Sequence, residues 1–211
     1  NYITRNYKVT EFREIDVSTV GNIHYTQSAD NETSLEIYGP DNIVDMIQVA
    51  ITDGKLLLKM KEKKINSVKG MKIMISTPHL NGLVLRGVGS IYIDKGLKTK
   101  DLKVGNYGVG NVKIKGLQCK SVVVNSEGVG NVELSGEVSN AILKSKGIGN
   151  LKAEGLKSEQ VEAISDGIGN ISCYASKSIS ATSKGIGNIR YKGKPQETTI
   201  VKSGIGSIKP I

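Results

Sequence analysis

The sequence predicts an all-β protein, a single-stranded parallel β-helix (β-solenoid) with about 20 residues per coil. Three observations carry this. A short glycine corner recurs seven times at nearly constant spacing. Runs that alternate apolar and polar residues flank every copy. Glycine is frequent, 25 of 211 residues, while the chain holds one Phe and no Trp. That composition suits many thin, similar layers better than one round core.

The first third of the chain is less regular than the rest. The stretch IDVSTVGNIHY at 15–25 has the order alternating run, corner, alternating run, with Thr19 in place of the first corner glycine. GPDNIVDMIQ at 39–48 predicts one short helical turn. VAITDGKLLLKM at 49–60 echoes VEAISDGIGN at 161–170 and predicts a shortened corner at Asp53-Gly54. KMKEKKINSVKG at 59–70 is polar and cationic and predicts a loop or protruding hairpin. MKIMIS at 71–76 predicts a strand that ends before Pro78. Residues 1–80 therefore read as degenerate, irregular coils of one continuous solenoid over 1–211. A separate small β domain ending near residue 80 is the alternative.

From residue 81 the repeat is regular. The corner reads GVGSI at 87–91, GVGNV at 108–112 and 128–132, GIGNL at 147–151, GIGNI at 167–171 and 185–189, and GIGSI at 204–208, with spacings of 21, 20, 19, 20, 18 and 19. Runs such as NVKIKG and NVELSG follow the corner, and runs such as SVVVNSEG and NAILKSKG precede it. Period-two alternation over four to six residues indicates half-buried strands. Units that cannot bury an apolar face alone must stack, each strand pairing with its equivalent in the next coil.

The corner residues are candidates for a structural ladder. The glycines (Gly87, Gly89, Gly108, Gly110, Gly128, Gly130, Gly147, Gly149, Gly167, Gly169, Gly185 and Gly187) permit a sharp bend with φ > 0. Asn111, Asn131, Asn150, Asn170 and Asn188 tolerate left-handed geometry and can hydrogen-bond one coil away. The residues between the glycines, Val88, Val109, Val129, Ile148, Ile168, Ile186 and Ile205, are expected to point inward as an aliphatic ladder. Ser126, Ser145, Ser165 and Ser183 form a second polar column two residues before the corner. A phosphate cradle would need a helix after the glycines, and a strand follows each time.

The sequence offers little for catalysis, and no catalytic, metal-binding or cofactor-binding residues are assigned. His24 and His79 are the only histidines, and neither has a cysteine or carboxylate at ligand spacing. Asp94, Asp101, Glu127, Glu133, Glu154, Glu162 and Asp166 fall at scattered register positions, unlike the paired acids that glycoside hydrolysis needs. Glu127, Lys146 and Asp166 share the slot before the corner, which predicts a salt-bridged surface column. Cys119 and Cys173 lie more than two repeats apart and are expected to be free thiols.

The formal net charge is +9. Lys103, Lys113, Lys115, Lys120, Lys144, Lys146, Lys152, Lys157, Lys184, Lys192 and Lys202 fall largely on outward positions. They favour solubility and protected edges, or a basic face for anionic polymers. Nucleic acid is not expected as a partner, because Tyr25, Tyr92, Tyr107, Tyr174 and Tyr191 do not align into a stacking platform. No run approaches the ~18 apolar residues of a membrane helix. No secretory leader stands at the start; the chain begins abruptly at Asn1 and reads as a trimmed, mature form, so the missing leader says little about export. The last coil, SGIGSIKPI, lacks a capping helix. Its open strand edge, partly blunted by Lys209 and Pro210, is a candidate surface for homo-oligomerisation.

VGNI at 20–23, DGKLLLKM at 53–60, STPHLNGLVLRGVGS at 76–90 and the serial corners resemble the bacterial family described as "putative auto-transporter adhesin, head GIN domain". It is a domain of unknown function common in gut Bacteroidetes, and the likeness spans essentially the whole chain. Most members carry small polar residues where this chain has Val or Ile between the glycines. The resemblance implies a right-handed, pectin-lyase-like β-helix, export through a signal peptide in a Gram-negative bacterium, and a role in adhesion. It implies no catalytic residues.

The expected function is that of a non-enzymatic cell-surface or envelope protein that binds a ligand through a basic solenoid face. The alternative is a polysaccharide-binding or polysaccharide-degrading β-helix. The expected partners are host or bacterial surface glycans or proteins. The expected location is the periplasm, the outer-membrane surface or the extracellular space.

Overall fold

The structure, a computed structural model, describes residues 1–61 and 69–211 of the chain. Its first part comprises β1 (Tyr2–Tyr7), β2 (Glu14–Ser18), β3 (Asn22–Gln27), β4 (Ser34–Pro40), α1 (Asp41–Val44), β5 (Ile47–Thr52), β6 (Lys55–Met60), β7 (Lys72–Thr77), β8 (Gly82–Leu85) and β9 (Ile91–Ile93). Then come β10 (Leu97–Lys98), β11 (Asp101–Asn106), β12 (Val112–Ser126), β13 (Val132–Ser145), β14 (Leu151–Ser165), β15 (Ile171–Ser183), β16 (Ile189–Lys192), β17 (Glu197–Lys202) and β18 (Ile208–Pro210). The fold is an all-β solenoid. Of the loop or hairpin expected over 59–70, Lys59 and Met60 belong to β6, and 62–68 lie outside the described residues.

Alternation builds the interior. In β12 to β15, inward positions align coil upon coil. Val112, Val132, Leu151, Ile171 and Ile189 are in register and fully buried. Val124, Leu143, Ala163 and Ala181 form a second such column. Each fully buried Val, Leu or Ile contributes about 1.5–3 kcal/mol, and parallel pairing satisfies the backbone between coils.

The coils do not stack in chain order. β2 lies between β6 and β8, and β3 lies between β7 and β9. The coil of residues 14–27 is thus sandwiched between one built from β6 and β7 and one built from β8 and β9. Antiparallel strands close this end: β5 on β6, β4 on β7, and β1 on β4. The short helical turn expected in 39–48 is α1, which buries Ile43 and Val44.

The shortened corner expected at Asp53-Gly54 is instead a hairpin turn. Thr52 pairs with Lys55 across antiparallel β5 and β6, and Asp53 and Gly54 have φ of 52° and 72°. Two successive positive-φ residues give the turn whose twist matches the flanking strands, and Asp-Gly is a preferred pair for it.

The corners stack directly. Parallel bridges run Val20 to Val88, Val109, Val129, Ile148, Ile168, Ile186 and Ile205. At one corner, the Ile148 amide donates to Gly128 O at 3.0 Å and the Gly149 amide donates to Ile168 O at 2.9 Å. Successive backbones here are so close that a Cβ on Gly147 would collide with Gly128 O, and one on Gly149 with Gly130 O. Gly149 also has φ of 140°, where L side chains are strained.

Gly149→Ala is therefore expected to cost about 3 kcal/mol or more, through strain and collision together. Gly54→Ala, with φ of 72° and no atom within 4 Å of the added Cβ, should cost only about 1 kcal/mol. Urea denaturation of the two variants checks this difference.

Candidate functional surface

The corner aliphatics point outward, opposite to the sequence expectation. Val88, Val109, Val129, Ile148, Ile168, Ile186 and Ile205 are 47–70% exposed. The cause is phase. Ser145 and Leu151 are buried, and counting by two between them passes through Gly147 and Gly149. The glycines take the inward positions, where no Cβ fits, and Lys146, Ile148 and Asn150 take the outward ones. The same holds from Ser126 to Val132 and from Ser165 to Ile171. The serine column lies inside the corner, with Ser126, Ser145, Ser165 and Ser183 all buried.

The ridge is one of four parallel outward columns. On one side stand Arg86, Tyr107, Glu127, Lys146, Asp166 and Lys184. A groove of about 580 Å³ runs between Arg86, Tyr107, Glu127 and Lys146 and the ridge, floored by Gly87, Gly108, Gly128, Gly147 and Gly167. The salt-bridged column expected here does not form: among the described residues, Glu127, Lys146, Asp166 and Lys184 make no ion pair within 4.0 Å. Arg86 is engaged, with Nε 3.2 Å from Asp16 Oδ1 and its guanidinium 5.2 Å from the Tyr107 ring centroid.

On the other side runs the asparagine ladder. Asn111 Oδ1 accepts the Asn131 amide at 2.8 Å, and the pattern continues from Asn131 to Asn150, Asn150 to Asn170 and Asn170 to Asn188 at 2.8–2.9 Å. Asn188 Oδ1 accepts the Ser207 amide at 2.9 Å. With each Oδ1 committed to the next coil, each Nδ2 faces outward as a donor. None of these five Nδ2 groups donates a hydrogen bond among the described residues.

The fourth column follows two residues later. His24, Tyr92, Lys113, Glu133, Lys152, Ser172, Arg190 and Lys209 are in register along the first strands of the coils. His24 stacks on Tyr92 with ring centroids 5.3 Å apart. Lys113 Nζ lies 3.9 Å from Glu133, and Arg190 donates to Ser207 Oγ at 2.9 Å. The other lysines spread around the coil: Lys146 and Lys184 flank the ridge, Lys103 and Lys144 occupy the strands leading into the corners, and Lys192 pairs with Glu154 at 3.3 Å. The lysines are therefore distributed over several columns rather than collected on one face.

The remaining candidates stay apart. His79 meets Thr77, whose hydroxyl donates to its carbonyl at 3.0 Å. No group of three or more metal-capable side chains occurs among the described residues. Asp101 accepts from Ser121 Oγ at 3.0 Å. A pocket of about 570 Å³ brings Glu137, Glu159 and Cys119 together, with Glu159 tied to Lys177 at 3.0 Å. Tyr25 and Tyr191 are buried, while Tyr92, Tyr107 and Tyr174 occupy separate columns. Cys119 and Cys173 are free thiols. Burial pushes Cys173 up to about 12, and burial together with the Asp101 charge pushes Cys119 up to about 11. No helix is long and apolar enough to cross a membrane among the described residues.

The fold and its stacked corners define a β-solenoid with an ordered, patterned face. The chain belongs to the family described as "Putative auto-transporter adhesin, head GIN domain", which matches residues 11–195. No curated protein matches it. Among solved structures, a putative adhesin of Bacteroides fragilis NCTC 9343 is 50% identical with a TM-score of 0.98, the match covering 100% of this chain and 97% of the other. A "putative lipid binding protein" of Parabacteroides distasonis ATCC 8503 is 26% identical with a TM-score of 0.76, covering 100% and 97%. A putative adhesin of Parabacteroides merdae ATCC 43184, 22% identical with a TM-score of 0.70 and covering 100% and 96%, shares the fold.

Two outcomes follow. Asn150→Ala removes the acceptor of the Asn170 amide and should cost about 1 kcal/mol, since water partly replaces it; denaturant titration measures this. Both thiols ionise at higher pH in the native state than their ordinary value of 9.0. The stability they supply is complete below pH 9 and is lost as pH rises from 9 to about 12. Cys173→Ala should flatten that alkaline decline in a pH series of melts, and the native Cys173 thiol should resist alkylation at neutral pH.

Proposed function

We propose that this protein is a non-enzymatic adhesion module, exported to the envelope or surface of a Gram-negative bacterium, that binds acidic surface glycans. The carrying observation is the pairing of two adjacent columns. The solvent-facing Nδ2 donors of Asn111, Asn131, Asn150, Asn170 and Asn188 run beside Lys113, Lys152, Arg190 and Lys209. Donors repeating at the strand spacing of about 4.8 Å, beside cations on most alternate coils with Glu133 and Ser172 between them, suit a linear polymer of hydroxyls and carboxylates or sulfates lying along the solenoid axis. Charge-assisted hydrogen bonds supply the attraction, and the rigid ladder limits the ordering cost of binding. Kinship with a putative adhesin at 50% identity is consistent with this role.

Binding to immobilised uronic-acid and sulfated polysaccharides, measured at rising salt, tests the proposal. The protein should bind and weaken steeply with ionic strength. The double variant Lys152→Glu/Arg190→Glu should lose roughly tenfold or more in affinity. Binding that ignores both salt and the double variant would overturn it, and depolymerisation of any of these chains would replace it with an enzymatic role.

A further inference from the structure

The aliphatic ridge plays no part in glycan binding, and nothing in the chain's own core uses it. Val109, Val129, Ile148, Ile168, Ile186 and Ile205 stand in a row, each about half exposed or more. We infer that this ridge is a homodimer interface, on which a second copy of the chain packs antiparallel about a two-fold axis between the levels of Ile148 and Ile168.

The charges beside the ridge select this arrangement. When two copies of one face meet about a two-fold axis, the axis lies in the interface plane. An axis along the columns would set the charged column of one copy against the asparagine ladder of the other, with no charge pairing. An axis across the columns sets each column against its own copy in reverse order. With that axis between the levels of Ile148 and Ile168, Lys146 meets the partner's Asp166, and Glu127 meets the partner's Lys184. Symmetry repeats both contacts, so all four charges are matched on each copy. A slip of one coil in one direction brings Lys146 onto the partner's Lys146. A slip in the other brings Asp166 onto the partner's Asp166.

These four residues have no ion pair of their own among the described residues. Arg86 falls outside this register, and it is the flanking cation already held within its own chain, by Asp16 and Tyr107. In the same register Ile148 faces the partner's Ile168, and Val129 faces the partner's Ile186.

The contact is modest. Six coils at about 4.8 Å and two columns, the ridge and its charged flank, about 6.6 Å apart give a total buried area of about 760 Å², with the asparagine ladder left at the open rim. That lies below the roughly 1,200–2,000 Å² of standard stable interfaces, so the dimer is weak and reversible.

Sedimentation velocity from micromolar to millimolar protein tests the inference. A concentration-dependent dimer is expected. Lys146→Glu alone and Asp166→Lys alone each place like charges at two contacts, and each should weaken association roughly tenfold or more. The double variant Lys146→Glu/Asp166→Lys restores opposite charges and should restore the dimer. Ile148→Ser should weaken it too, and because Ile148 is exposed its circular dichroism spectrum should match the parent's. The inference is overturned by a strict monomer throughout, or by a double variant as impaired as the singles. It is equally overturned by a dimer indifferent to these changes but lost on substitution in β17, which would mean end-to-end stacking. Ridge-dependent capture of a strict monomer on phosphatidylcholine vesicles would also overturn it and assign the ridge to lipid.

Discussion

The closeness of stacked backbones at the corners governs the rest of this structure. Each corner glycine sits so near the carbonyl of the coil beside it that hydrogen alone fits where a Cβ would go. The gap between stacked corners is therefore closed to a Cβ at the glycine positions, and the side chains between and after the glycines face outward. Parallel bridges from Val20 to Ile205 hold the bends in one line. A fixed corner sets the phase of the strands on both sides, because alternation counts outward from it in steps of two. Core columns and surface columns follow from the same constraint.

The surface is ordered because the backbone is. A residue type repeated at one position in the sequence becomes a row in space. Asparagine at the position after the second glycine yields a ladder in which each side-chain oxygen caps the next coil's amide, leaving its nitrogen outward. That ladder stabilises the stack and presents donors at regular intervals. Aliphatic residues between the glycines yield a ridge that the core does not need. Isolated exposed Val or Ile residues are ordinary on a protein surface; a continuous row flanked by alternating charge is not. The thiols are held protonated by burial, and Glu133, Glu154 and Glu159 are engaged by lysines.

The N-terminal region closes the other end of the core. Antiparallel β1, β4 and β5 and the buried Ile43 and Val44 of α1 cover the coil built from β6 and β7. Inserting the coil of residues 14–27 between later ones ties the ends of this region together through contacts distant in sequence. Such a cap prevents the first coil from offering a bare strand edge, the known hazard of open parallel stacks.

The sequence by itself determined the solenoid, the length of its coil, the position of every regular corner, the free thiols and the asparagine ladder, because these are local or strictly periodic. The outward phase of Val88 to Ile205 was legible too, by counting in twos from Ser145 to Leu151. Hydrophobicity pointed the other way, and only the packed corner shows that the coils lie too close for a Cβ at the glycines. Asp53-Gly54 carried a hairpin signal that its likeness to the corner segment at 161–170 masked. What the tertiary structure alone decided is the order of the N-terminal coils, the absence of ion pairs between Glu127, Lys146 and Asp166, and the spread of cations over several columns. These depend on which strand edges meet across long stretches of chain and on distances between side chains. Periodicity along one chain fixes neither.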